Sequence, residues 1–170
     1  GLPPDTMVTY SVETAGPEGK PHGTLNGNFR TAPAVNASKD VTFAVITCQM
    51  FADLDNPSGF NIYPAIREKV MPHFVAVTGD NVYYDSELPV ATSPALARYH
   101  WERMYSLPRH VDLYRHVVSY WEKDDHDTVK NDCWPGQKAG TLTYEEGQKI
   151  FRQQVPMGET IYRTFRWGKH

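Results

Sequence analysis

Along residues 7–13, apolar and polar positions alternate. Val8, Tyr10 and Val12 share one face and Thr9, Ser11 and Glu13 the other, a period that predicts a strand. A Gly/Pro-rich stretch from Gly16 to Pro21 follows, and then a second extended piece over 24–31. Two strands alone do not make a stable sheet. Residues 1–40 are therefore expected to be the tail of a β-rich domain, with 32–40 as its linker.

From Val41 the pattern changes. The run VTFAVITC (41–48) is apolar and β-branched, as in a buried central strand, and HFVAVTGD (73–80) repeats that character. Between them Ile62, Ala65, Ile66 and Val70 recur at helical spacing. Ser93-Pro94 opens a second helix that places Ala97, Trp101, Met104 and Tyr105 on one face, and residues 117–123 read as a third strand. Thr143 to Glu146 has capping-box spacing and opens a helix carrying Gly147, Ile150, Phe151 and Gln154, which Val155-Pro156 ends. A last strand is expected over 160–167. The order β-α-β-α-β-α-β predicts an α/β fold built on a mainly parallel sheet.

Composition narrows the field of functions. A net charge of -3 gives no electrostatic ground for nucleic acid or an anionic membrane as partner. No apolar run nears the roughly 20 residues of a membrane-spanning helix. Gly1 to Asp5 lacks the features of a signal peptide, and the chain has the look of a processed or excised piece. Two cysteines, Cys48 and Cys133, are too few for a disulfide framework.

The chemistry-bearing residues cluster after the strands. The first strand runs into Cys48 and Gln49, the second into Asp80, Tyr83 and Asp85, and the third into Asp124, Asp125, His126 and Asp127, with Asn131 and Asp132 beyond. Parallel strands bring their carboxyl ends to one edge, where open α/β sheets bind ligands. Several carboxylates at one edge repel unless cations neutralise them, so a metal site is the economical reading. Taken singly, Asp80 is more often a turn former or cap, Cys48 more often a small buried apolar group and Tyr83 more often core or cleft wall, while the 124–127 loop is as often a solvated turn.

The segments GDNVYYD (79–85), YHWERMYSLPR (99–109), SYWEKDDHD (119–127) and FRQQVP with YRTFRWGK (151–169) together resemble the PhoD-like alkaline phosphatase/phosphodiesterase family. The resemblance spans nearly the whole chain. Residues 1–40, with the exit FRTAP (29–33), resemble the end of that family's N-terminal β-sandwich domain. Residues 41–170 resemble the first half of its metallophosphatase domain, a sheet with flanking helices.

That resemblance implies hydrolysis of phosphate mono- or diesters with Fe3+ and Ca2+. It implies Cys48 as thiolate and Tyr83 as phenolate on the ferric ion, Asp80 bridging to a calcium-type site, and Asp125 and Asn131 as further metal ligands. His126 is implied as the catalytic general acid or hydrogen-bond donor near the leaving group. An exported enzyme, secreted or periplasmic, is implied as well. The family's Gly-Asp-x-His segment does not follow Asp132, so a truncated enzyme is the expectation. Two other readings compete: a non-catalytic metal- or phosphate-binding module, and purely structural calcium loops. The latter have no use for a thiolate or a phenolate.

Overall fold

The computed structural model describes residues 1–155, 158, 160 and 163–170. Strands β1 (Met7–Ala15) and β2 (Pro21–Arg30) form an antiparallel hairpin, paired from Met7 with Arg30 to Thr14 with Gly23. The second strand starts earlier than its sequence pattern predicts, because pairing continues up to the Gly16–Gly19 turn. Val8 and Tyr10 are half-buried, but Val12 is exposed. The hairpin touches the rest of the chain near Tyr10, whose hydroxyl donates to the Arg115 carbonyl at 3.1 Å, as does the Asn28 N–H at 3.0 Å. Gly27 permits this approach, since a Cβ there would strike the same carbonyl.

The predicted parallel sheet is present, with β3 (Phe43–Ile46), β4 (Phe74–Thr78) and β5 (Val118–Glu122) side by side in chain order. β4 is the central strand, and Val75 and Val77 are fully buried. The expectation of a buried central strand over 41–48 is corrected. β3 is a four-residue edge strand, with Phe43 and Val45 at 53% and 58% exposure. Only Ala44 and Ile46 turn toward the helices, so half of its apolar character faces outward. That outer face holds Phe43 stacked on Phe74, and Phe74 against Tyr120; Phe165 and Trp167 lie over it beside a cavity of about 610 Å3.

Helices cover the other face. Helix α1 (Ile62–Ala65) runs into one wide π-type turn (Ile66–Val70), closed by the Met71 N–H on the Ile66 carbonyl at 2.9 Å. The wider turn breaks the regular spacing. Tyr63 and Ile66 are buried, while Ile62 and Val70, expected on the buried face, are exposed. Helix α2 (Pro94–Tyr105) is capped by Ser93 and buries Ala97, Trp101 and Met104, as its pattern predicts. Helix α3 (Pro108–Tyr114) had no predicted counterpart, although Pro108 in its first turn is a usable start signal.

A small hairpin, β6 (Lys138–Ala139) with β7 (Leu142–Thr143), leads into helix α4 (Tyr144–Gln154). There the Thr143 hydroxyl accepts the Glu146 N–H at 3.2 Å, as the capping spacing predicts. The expected 160–167 strand is absent from residues 163–167, which are irregular; positions 161 and 162, and Pro156 of the helix stop, lie outside the described residues. Among the described residues no helix is long and apolar enough to cross a membrane.

One core cluster joins α2 and α4 to the loop after β4, and a second lies between α1, α3 and the sheet. His110 is fully buried in the aromatic surroundings of Tyr63, Phe60 and Tyr105, and both its ring nitrogens lack partners. Burial pushes its pKa down to about 4. The folded chain thus takes up this proton later than the unfolded chain, so stability falls as pH drops through about 6.5 and levels off below about 4. We expect His110→Leu to flatten this part of the acid limb in urea denaturation curves recorded across pH; a limb unchanged from wild type contradicts a neutral, unpartnered His110.

Candidate metal centre

The ends of the three parallel strands are tied together by their own backbone and by buried polar side chains. The Gln49 N–H donates to the Asp80 carbonyl at 3.1 Å, and the Thr47 hydroxyl donates to the Gly79 carbonyl at 3.3 Å. Asn81, fully buried, donates from its side chain to the Glu122 carbonyl at 2.9 Å and also to Asp127. The Tyr105 hydroxyl reaches the Asn81 carbonyl at 3.2 Å, and Tyr63 donates to the Gln49 side chain. These bonds hold the loops after β3, β4 and β5 in one register before any ligand side chain is considered.

Asp127 is the keystone of the third loop. It is fully buried and accepts the Asp124 N–H at 2.7 Å and the Asn81 N–H at 3.0 Å. Burial pushes its pKa up to about 7, against the opposing pull of those N–H groups and with the Asp80 charge adding to the rise. Close packing fixes the same loop from outside. A Cβ on Gly79 would sit 2.6 Å from the Asp124 Cβ, and one on Gly147 of α4 would overlap the Thr128 carbonyl.

Two predicted ligands occupy backbone conformations that L-residues avoid. Cys48 has φ +56° and Asp80 φ +50°, and each such placement costs about 1–2 kcal/mol. Strain of this kind persists where the surroundings over-determine it, and here it aims both side chains at one point. The Cys48 thiol lies 3.5 Å from Asp80 Oδ2, and the Tyr83 hydroxyl donates to that same oxygen at 3.0 Å. The other Asp80 oxygen, Oδ1, is buried without a partner. Burial, the Asp80 carboxylate and Cys48 all push the Tyr83 pKa well above its usual value.

Asp80 also meets Asp125 and His126, each of the three offering one ligand atom within 4.8 Å of the others. The Asp125 carboxylate accepts the His126 N–H at 2.9 Å and the Asp132 N–H. The His126 ring packs on Tyr83 with centroids 4.4 Å apart, and its Nδ1 lies 2.7 Å from Asp85 Oδ1. Burial alone would lower the His126 pKa; the bond and charge of Asp85, with Asp80 and Asp125 adding to them, outweigh it and hold the pKa above the ordinary imidazole value. For Asp85, burial works upward, but the Asn131 N–H and His126 prevail and hold the pKa below the usual carboxylate value.

Cys48, Asp80, Tyr83, Asp125 and His126 thus come together from three separate loops. Asn131 contributes differently. It is exposed, its backbone N–H donates to Asp85 at 2.8 Å and its side-chain nitrogen donates to Asp132 at 2.8 Å, which leaves Oδ1 as its free donor atom for a cation. Cys133 stays a free thiol, as does Cys48. Sequence reasoning gave no role to Asp85, Gln49, Asn81 or Asp127. Their signal was position, since Gln49, Asn81 and Asp127 each flank a predicted site residue and Asp85 lies two residues beyond Tyr83.

The donor set mixes hard oxygens from Asp80, Asp125 and Tyr83 with the softer Cys48 sulfur, and the orphaned Asp80 oxygen is a carboxylate atom with no hydrogen bond to lose on meeting a cation. Oxygen donors from Asp80 and Asp125 suit a calcium-type ion.

The architecture that carries this site is a mixed α/β fold, a parallel sheet with flanking helices. It is similar to the solved structure of PhoD, with a TM-score of 0.73 and 19% sequence identity, covering 99% of this chain and 36% of that one. It is also similar to purple acid phosphatase PPD1 isolated from yellow lupin (Lupinus luteus) seeds, with a TM-score of 0.58 and 16% identity, covering 88% of this chain and 26% of that one. The chain therefore spans about a third of the PhoD structure's length. At these identities the likeness is one of fold. No protein-family model and no curated protein sequence matches the chain.

Gly147 tests the packing that sets the third loop. Alanine normally stabilises a helix interior by up to about 1 kcal/mol over glycine, but here the added methyl would drive into the Thr128 backbone. Gly147→Ala is expected to lose about 2 kcal/mol on chemical denaturation, within the usual range for overpacking. A gain in stability would contradict the close approach of α4 to that loop.

Proposed function

We propose that this chain carries the first metal-binding part of a metal-dependent phosphoesterase that hydrolyses phosphate mono- or diesters. The observation that carries the reading is Asp80. One of its oxygens is shared by Cys48 and Tyr83, the other is buried and unpartnered, and the carboxylate also lies within 4.8 Å of ligand atoms of Asp125 and His126. The fold likeness to two phosphatases supports the same reading.

In this proposal Cys48, Tyr83 and Asp80 hold a ferric ion. Asp80 and Asp125, with Asn131 through its free carbonyl oxygen, hold a calcium ion. Such ions, when bound, neutralise phosphoryl oxygens and supply a hydroxide nucleophile at neutral pH. The protein's own part is positional. The strained backbone at Cys48 and Asp80 aims the donors, and the Asp127 and Asn81 bonds keep the loops from relaxing apart. His126, on the Asp80 side of Tyr83, serves as proton donor to the departing ester oxygen. Residues 1–40 end a β-rich N-terminal domain, residues 41–170 form part of the metallophosphatase domain, and an exported location accords with the resemblance.

Titration of the chain with ferric ion is expected to raise an intense visible charge-transfer band. Tyr83→Phe should abolish that band, and Cys48→Ser should shift it and weaken binding by ten-fold or more. Hydrolysis of a chromogenic phosphodiester by the loaded chain, lost on chelation, supports the enzyme reading. A band without hydrolysis favours a metal-binding module. Calcium binding with no ferric band favours structural loops and sinks the ferric assignment.

A further inference from the structure

Asp85 has no part in the ligand set above, yet it makes a short contact with the one imidazole at the site. Its carboxylate is held at both ends. Oδ2 accepts the Asn131 backbone N–H at 2.8 Å, and Oδ1 lies 2.7 Å from His126 Nδ1 and accepts the Ser86 hydroxyl at 3.2 Å, a group that can itself turn to accept. Both side chains are mostly buried, at 23% and 14% exposure, so water competes weakly for the contact. Tyr83 packs against the ring, and the His126 backbone that carries it is held by its carbonyl accepting the Tyr84 N–H at 3.1 Å.

An ionised carboxylate only accepts hydrogen bonds. Nδ1 must therefore carry the hydrogen in that contact, whether the ring is neutral or charged. A neutral imidazole has one N–H and one lone pair, and its partner at one nitrogen dictates the state of the other. We propose that Asp85 is a positioning residue that fixes His126 in the Nδ1–H tautomer, so that Nε2 is the ring atom left to meet a phosphate ester or a metal-bound ligand. The ligand identity rests on the phosphoesterase reading; the tautomer does not.

The isosteric variant makes an opposite prediction. In Asp85→Asn the single carbonyl oxygen is needed by the Asn131 N–H, which turns the amide NH2 toward Nδ1. The reverse amide orientation would set two donors against each other at Asn131. Nδ1 then accepts, and the ring hydrogen moves to Nε2.

Long-range proton–nitrogen NMR spectra of the 15N-labelled, metal-free chain read this directly, with His126→Gln identifying the relevant signals among the seven histidines. The spectra are taken at a pH where the ring nitrogen shifts no longer move. The expected result is Nδ1–H in the wild type and Nε2–H in Asp85→Asn, with the remaining amide signals in place. A wild-type Nε2–H tautomer overturns the proposal, as does an unchanged tautomer in the variant. Should the variant not fold, the wild-type spectrum alone decides. None of these results depends on catalysis, so a chain that hydrolyses nothing would sink the phosphoesterase reading and leave this one standing.

Discussion

The structure turns on the cost of gathering carboxylates at one sheet edge. Two carboxylates at the 4.8 Å limit of the Asp80–Asp125 approach repel by about 3 kcal/mol at an effective dielectric near 20. Asp85, Asp124, Asp127 and Asp132 stand on the same loops. The fold answers in three ways. Asp127 is buried and raised toward neutrality, and Asp85 is set against His126. Asp80 receives a thiol and a phenol on one oxygen, and its other oxygen is buried without a partner.

The remaining architecture keeps those groups from drifting apart. The parallel pairing of β3, β4 and β5 brings three loops to one side, and Gln49, Asn81 and the tyrosines behind them lock the loops in register. Helix α4 presses Gly147 onto the Thr128 carbonyl, so the 124–128 loop is held from behind as well. Left-handed backbone at Cys48 and Asp80 is tolerated because this bracing leaves no alternative. The same logic connects a residue without chemistry of its own, such as Gly147, to the geometry of the donors.

Much of this was legible in the sequence because it rests on local rules. Three apolar runs, each followed by polar ligands, implied parallel strands with a shared edge, and the caps at Ser93 and Thr143 placed α2 and α4. What escaped depended on tertiary context. The run over 41–48 looks buried on both faces, yet at the sheet edge Phe43 and Val45 face outward. The π-type turn after Ala65 is invisible to a helical period, and Val70 at its end is exposed. Asp85 and His126 lie 41 positions apart, and no local spacing rule pairs them. The candidate ligands are legible because they sit at strand ends, whereas the residues that touch and orient them are defined only by three-dimensional neighbours.

In the proposed function Asp80, with Cys48 and Tyr83 on one of its oxygens, organises a cation site. Anomalous diffraction from crystals of this chain grown with ferric ion, collected at the iron edge, tests it most directly. The account predicts a strong peak in contact with Asp80, the Cys48 sulfur and the Tyr83 oxygen. A peak bound elsewhere, or none at full ferric loading, would contradict it and return those three residues to a purely structural role.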